Sequence, residues 1–194
     1  MTNVLFVGVG GQGTLVASKI MVEALLKAGF DVKKSEIHGM AQRGGSVISQ
    51  VRFGPVVYSP LIRYGEGDIM VSFEQLEALR YLDYLHRDSL IFLNDQKILP
   101  PSVSMGIEVY PENIFTTLKS RFKNTFLIEG LQVAQNAGNA RVLNIVLLGV
   151  LSRHLALDEK TWIETLREKL PPSLIDVNVR GFLLGREYEP AAVS

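Results

Sequence analysis

Apolar and polar positions change period twice within the first forty residues. Val4–Val7 is a continuous apolar run, the pattern of a strand covered on both faces. It meets a cluster of glycines, and from Gly13 to about Ala28 apolar residues then wrap most of the girth of a helix. Only Lys19, Glu23 and Lys27, spaced by four, leave a wet stripe, and their charges alternate so as to pair along the helix. Gly29 supplies the stop. Phe30–Ile37 (FDVKKSEI) reads as a second strand that completes a β-α-β unit.

Val47–Phe53 (VISQVRF) alternates with period two and predicts a strand with one wetter side. DIMVSF and SLIFLN are further strands around a helix over Glu74–Leu85, and GIEVYP and NTFLIEG are strands around the helix ENIFTTLKSRF. From Gly138 onward the pattern is helical alone: Arg141–Leu155, then Asp158 (as N-cap) to Leu170, then Ser173–Arg186, with Pro171-Pro172 as the break. Strands alternating with helices predict an α/β fold, an open and mostly parallel sheet with helices on both faces and a C-terminal helical segment. The length of 194 residues suits one compact domain over 1–194, with Glu189–Ser194 frayed.

Composition narrows the function. Lys plus Arg and Asp plus Glu are both 20, the formal charge is zero, and no basic block stands out, which argues against nucleic acid and against an anionic membrane. A 47% hydrophobic fraction with zero net charge suits a chain that hides surface in an assembly. Cysteine is absent, so disulfides, thiolate nucleophiles and cysteine-held clusters are excluded. The opening MTNVLFVG reads as a strand, and the longest apolar run, Val142–Leu151, is half of the roughly 20 residues that span a bilayer. A cytoplasmic protein is expected.

The chemistry concentrates in two glycine clusters. Gly8, Gly10 and Gly13 satisfy G-x-G-x-x-G, the spacing that brings a strand-to-helix turn against a dinucleotide pyrophosphate. That reading wants an acid at the end of the second strand, and Glu36 is the nearest candidate. Gly10, Gly11, Gln12, Gly13 and Thr14 place a side-chain amide beside the free N–H groups of a helix start, a setting for an anion. Arg43, Gly44, Gly45 and Ser46 form a second loop at the same sheet edge, able to clamp a phosphate or a partner's backbone; the plain alternative is a surface loop with a solvated arginine. Glu74 and Glu77 read as a solvated helix face. His38, His86 and His154 share no metal-ligand spacing, and neither a metal site nor a catalytic residue is expected.

With GVGGQG, HGMAQRGGSV and VYSPLIRYGEGDIMVSFEQLEALR together, the chain resembles the gamma-type subunits of the thiamine-diphosphate 2-oxoacid:ferredoxin oxidoreductases over nearly its whole length, and among them the small subunit of the indolepyruvate enzymes. Asn144, Leu148 and Gly149 in GNARVLNIVLLGVL, and Asn178, Phe182 and Gly185 in NVRGFLLG, are similar to two further family stretches. The family's small Ala in the last stretch is missing here, where Val179, Arg180 and Gly181 intervene. The resemblance implies a Rossmann-like, gamma-type domain that carries no NAD and no cofactor of its own. It implies a large catalytic partner subunit holding thiamine diphosphate, Mg and 4Fe-4S clusters, with ferredoxin as indirect partner and coenzyme A as a ligand shared through the two glycine loops. Two alternatives stay open: a gamma subunit for another 2-oxoacid (pyruvate, 2-oxoglutarate or phenylglyoxylate), and a free-standing NAD(P)-binding protein using Gly8, Gly10, Gly13 and Glu36.

Overall fold

The computed structural model describes residues 1–38 and 45–190. In chain order the elements are β1 (Thr2–Val9), α1 (Thr14–Lys27), β2 (Asp31–His38), β3 (Ser46–Gly54), β4 (Gly67–Ser72), α2 (Gln75–Arg80), β5 (Leu85–Asn94), α3 (Pro101–Ser104), α4 (Ile114–Arg121), β6 (Thr125–Ile128), α5 (Gly130–Asn136), α6 (Leu143–Ser152), α7 (Glu159–Lys169) and α8 (Ile175–Glu187). The strands form one sheet in the order β2-β3-β1-β4-β5-β6. β1, β4, β5 and β6 are parallel neighbours, whereas β3 runs antiparallel to both β1 and β2.

Period-two alternation sends the two sides of β1 into two cores. Val4 and Phe6 pack with α1 and the C-terminal helices, while Leu5 and Val7 pack with α2 and α4. Helices therefore cover both faces of an α/β sheet, as expected. Asp158 caps α7, its Oδ1 accepting from the Thr161 N–H at 2.6 Å, and this bond holds the Asp158 carboxyl below the ordinary carboxylate range.

Four local expectations need correction. The β-α-β unit is interrupted: β1 and β2 point the same way, but β3 lies hydrogen-bonded between them. GIEVYP forms no strand: Ile107 and Val109 are exposed, and Tyr110 turns inward to hydrogen-bond Glu74 rather than pairing with the sheet. The helix over 74–85 stops at Arg80, since Leu85 pairs with Gly67 and is drawn into β5. The charges along α1 look outward, not along the helix. Lys27 meets Glu164 at 3.1 Å and Glu168 at 2.7 Å, and Glu23 meets Lys169 at 2.9 Å, all on α7.

Small residues settle the packing of α8. A methyl on Gly149 would strike the Phe182 carbonyl, and one on Gly185 would strike the Val146 carbonyl, so α6 and α8 cross with their backbones in contact. Gly181 fits against Val142, whose side chain a methyl there would meet at 2.8 Å. Phe182, fully buried, lies 5.7 Å from Trp162 of α7 with the rings tilted, and joins the three helices.

Candidate functional site at the carboxyl edge of the sheet

The chain leaves β1 toward the α1 face and leaves β4 toward the α2 face, so the carboxyl ends of β1 and β4 flank a topological switch point, the place where open α/β sheets form a ligand crevice. The glycine turn lies there. Gly8 has no room for a side chain: a Cβ would come within 2.8 Å of Thr14 Oγ1 and 2.9 Å of Gln12 Oε1. Gly13 turns the chain into α1 at φ +80°, which glycine adopts without strain, and its carbonyl accepts from Asn144 Nδ2 at 3.4 Å.

Gln12 fills the crevice. Its Oε1 accepts from the Val9 N–H at 2.7 Å, and its Nε2 donates to the Phe73 carbonyl at 2.9 Å and to Gln96 Oε1 at 3.1 Å. The amide expected to face an anion thus bridges the ends of β1 and β4. The same fold separates Glu36 from the turn, because β3 sits between β2 and β1 and sets β2 two strand spacings, about 10 Å, from β1. Glu36 is paired with Lys34.

What remains open to an anion is the start of α1. Among the described residues no side chain caps Gly13, the first turn carries no acid, and Thr14 Oγ1 is buried without a hydrogen-bond partner. Gly11, exposed at φ +102°, has open space above it. The second cluster reaches this turn, since the Gly10 N–H donates to the Gly45 carbonyl at 2.8 Å and Val9 pairs with Ser46. Arg43 and Gly44 lie outside the described residues. Gly10, Gly11, Gly13, Thr14, Gly45 and Ser46 are therefore brought to one edge, with Gln12 turned inward among them.

Glu74 and Glu77 are not on a solvated face. Both are buried, at 1% and 5% exposure. Glu74 caps α2 through Oε2, which accepts from the Glu77 N–H at 2.9 Å; its Oε1 accepts from the Tyr110 hydroxyl at 2.5 Å and from the Ile98 N–H at 3.1 Å. Burial, and then the Glu74 carboxylate, pushes the Tyr110 hydroxyl far above its ordinary range. Glu77 accepts from the Ser46 hydroxyl and faces Arg80 Nε at 3.1 Å, and the Ser46 hydroxyl lies 2.8 Å from that of Tyr81. Burial outweighs these partners and raises the Glu77 carboxyl above the ordinary value. Ser46, Glu74, Glu77 and Arg80 border a cavity of about 360 Å³ walled otherwise by Val9, Leu76, Ile98, Leu99 and Pro100. The overlooked signal was a glutamate directly after a buried strand and three residues before another, the spacing of a helix cap.

For the groups that the resemblance placed on a partner, this chain offers few ligands: it has no cysteine, and among the described residues no three His, Asp or Glu side chains gather as a metal site. His154 rests against Phe92 at 4.9 Å, and burial lowers its ring below the ordinary value.

Sheet order, switch point and glycine turn define a doubly wound, Rossmann-like α/β domain in which Gln12 ties the ends of β1 and β4 together. The chain belongs to the pyruvate ferredoxin/flavodoxin oxidoreductase family, whose pattern it matches over residues 3–188. It is 42% identical over 188 residues to the indolepyruvate oxidoreductase subunit IorB of Thermococcus kodakarensis, covering 94% of this chain and 93% of that one. The likeness to IorB of Archaeoglobus fulgidus is 38% over 187 residues, with 94% and 92% covered. In fold it resembles the gamma subunit of a keto/oxoacid ferredoxin oxidoreductase from Geobacter sulfurreducens, with TM-score 0.71, 22% identity and coverage of 96% and 97%. It also resembles a 2-oxoglutarate:ferredoxin oxidoreductase from Magnetococcus marinus, solved with 2-oxoglutarate, coenzyme A and succinyl-CoA bound, with TM-score 0.73 and 20% identity; the match takes in 98% of this chain and 32% of that one.

Proposed function

We propose that this chain is the small subunit of an indolepyruvate-type 2-oxoacid:ferredoxin oxidoreductase. The observation that carries this reading is the 42% identity to IorB along nearly the full length of both chains. The whole enzyme would convert an aryl 2-oxoacid and coenzyme A to the acyl-CoA and carbon dioxide, passing two electrons to ferredoxin. Thiamine diphosphate and the clusters belong to the large subunit, and this chain contributes no catalytic residue. Its part is to help close the coenzyme A site. The uncapped start of α1, the unpartnered Thr14 hydroxyl and the bond that ties Gly10 to Gly45 support an anion at this edge, received by the Gly10–Thr14 turn and by Arg43, Gly44, Gly45 and Ser46.

Arg43→Ala in the reconstituted enzyme tests the assignment. Loss of a charge-assisted phosphate contact, about 1.5–3 kcal/mol, would raise the Michaelis constant for coenzyme A roughly ten- to a hundredfold and leave the 2-oxoacid constant and subunit assembly unchanged. An unaltered coenzyme A constant removes Arg43 from the site. Weakened co-purification with the large subunit, with all activities falling together, would make the loop a docking element instead.

A further inference from the structure

Both glycine clusters are tied to one short stretch of chain, residues 73–77, where β4 hands over to α2. The first cluster reaches it through Gln12, whose Nε2 donates to the Phe73 carbonyl at 2.9 Å. The second reaches it through Ser46, whose hydroxyl donates to the Glu77 carboxylate. The stretch is itself held from behind. The Phe73 N–H donates to the Val7 carbonyl at 2.8 Å, and the Gln75 N–H to the Gln96 carbonyl at 3.0 Å. Gln75 Nε2 donates to Asp95 Oδ1 at 2.7 Å, and Glu74 receives the Ile98 N–H at 3.1 Å. Phe73, Glu74, Gln75 and Glu77 are all buried, so they form a fixed platform under the carboxyl edge.

The bond between Ser46 and Glu77 lies one residue from the contact that joins the two clusters. Gly45 gives its carbonyl to the Gly10 N–H at 2.8 Å, and Ser46 follows as the first residue of β3. Strand ends open more readily than strand centres, and a side-chain tether at the first residue holds such an end closed. The Ser46 hydroxyl is wholly engaged in this. An ionised carboxylate only accepts, so the one hydroxyl hydrogen of Ser46 goes to Glu77, and the Tyr81 hydroxyl, 2.8 Å away, donates to the Ser46 oxygen. No hydroxyl hydrogen is left for an anion, and Ser46 serves the edge by its position. Glu77 in turn has little other purpose: the cap of α2 belongs to Glu74, and Arg80, half exposed, is solvated without it.

We infer that Glu77 and Ser46 are positioning residues for the coenzyme A edge, a role that rests on the function proposed for that edge. Through their hydrogen bond the 73–77 platform fixes the distance between the Gly10–Thr14 turn and Gly45. Glu77 makes no contact with the ligand and moves no proton. What its carboxylate supplies is an acceptor at one place, and the Gln12 amide supplies the matching tie on the other side. An edge held on both sides before the ligand arrives loses little freedom on binding, which lowers the concentration of coenzyme A it needs. Glutamine at position 77 keeps an acceptor for Ser46, whereas alanine does not.

Glu77→Ala, Ser46→Ala, the double variant and Glu77→Gln test this, Ser46→Ala removing the bond without hollowing the buried site. In the free chain, hydrogen exchange of the Gly10 amide, read by NMR, should quicken about tenfold in the three alanine variants, the effect of losing one hydrogen bond to a charged group. It should stay at the wild-type rate in Glu77→Gln. In the reconstituted enzyme the Michaelis constant for coenzyme A should rise about tenfold in each alanine variant and no further in the double one. The kcat and the 2-oxoacid constant of Glu77→Ala should equal those of the wild type. Unchanged Gly10 exchange in Ser46→Ala overturns the inference while leaving the proposed enzyme intact. Faster exchange with an unaltered coenzyme A constant overturns the coenzyme A reading of the edge, and the positioning role with it. Effects that multiply in the double variant would make Ser46 a direct ligand contact and overturn the inference. So would a Glu77→Gln variant as impaired as Glu77→Ala, since the charge and not the acceptor would then be what the edge requires.

Discussion

Glu77 illustrates how one buried side chain sets a pH dependence. Its carboxyl has a folded pKa above the ordinary value of 4.5, with burial as the main cause. A raised carboxyl favours the folded state fully below the unfolded value, and that advantage is lost as pH rises through the folded value. At neutral pH the ionised Glu77 therefore opposes folding. Glu77→Gln should raise the melting temperature of the chain at pH 7.5, and the gap to the wild type should close as pH approaches 4.5. Arg80, half exposed, is free to turn to water when the charge is removed. A scan of both proteins from pH 4.5 to 7.5 checks this; a lower melting temperature for the variant at pH 7.5 would mean that Arg80 and Ser46 outweigh burial. The neighbouring Gln12 makes a parallel point. A polar side chain that the sequence offered to a ligand is instead engaged with Val9, Phe73 and Gln96, because unmet strand-end groups lie within its reach.

Between elements, the crossing of α6 and α8 is the most demanding contact. Asn144 and Gly149, and Phe182 and Gly185, carried the family resemblance, and the structure shows them joining helices and supporting the glycine turn. Gly149→Ala or Gly185→Ala would drive a methyl into a carbonyl of the facing helix, and the helices would have to separate. Overpacking of that kind costs about 1–3 kcal/mol and more where backbone must move. For a chain of this size each kilocalorie lowers the melting temperature by roughly 2–4 °C. Gly106→Ala is the control: φ is +72° but nothing lies near, so only backbone strain of about 1–2 kcal/mol is expected. Thermal unfolding of the three variants checks the ranking.

For the whole molecule, the strand order sets the two glycine clusters together at the carboxyl edge of the sheet. At the carboxyl edge β3 lies between the glycine turn and the strand that carries Glu36, which removes the acid a dinucleotide ribose would need, so NAD(H) should bind no more tightly than about the millimolar range; calorimetry giving a low-micromolar constant, about −8 kcal/mol, would favour the free-standing NAD(P) reading. The purified chain should also show no 2-oxoacid-dependent dye reduction until the large subunit is added. Activity in the free chain, with contaminating partner excluded by mass spectrometry, would contradict a non-catalytic role. No helix among the described residues is long and apolar enough to cross a membrane.

Local physics made much of this legible in the sequence. The apolar run into glycines could only be a buried strand handing over to a close-packed helix, the wrapped apolar girth of α1 required a covered helix, and Asp158 announced the cap of α7. The glycine spacing located the edge where a site would be. Strand adjacency was decided by tertiary structure alone, because pairing joins residues distant in the chain: β3 entered between β1 and β2, and GIEVYP, although alternating, lies off the sheet with Tyr110 bonded to Glu74. The same holds for solvation. Glu74 and Glu77 have the sequence pattern of a wet helix face, and only the chain folding over them, Tyr110 from one side and Ser46 from another, takes them out of water.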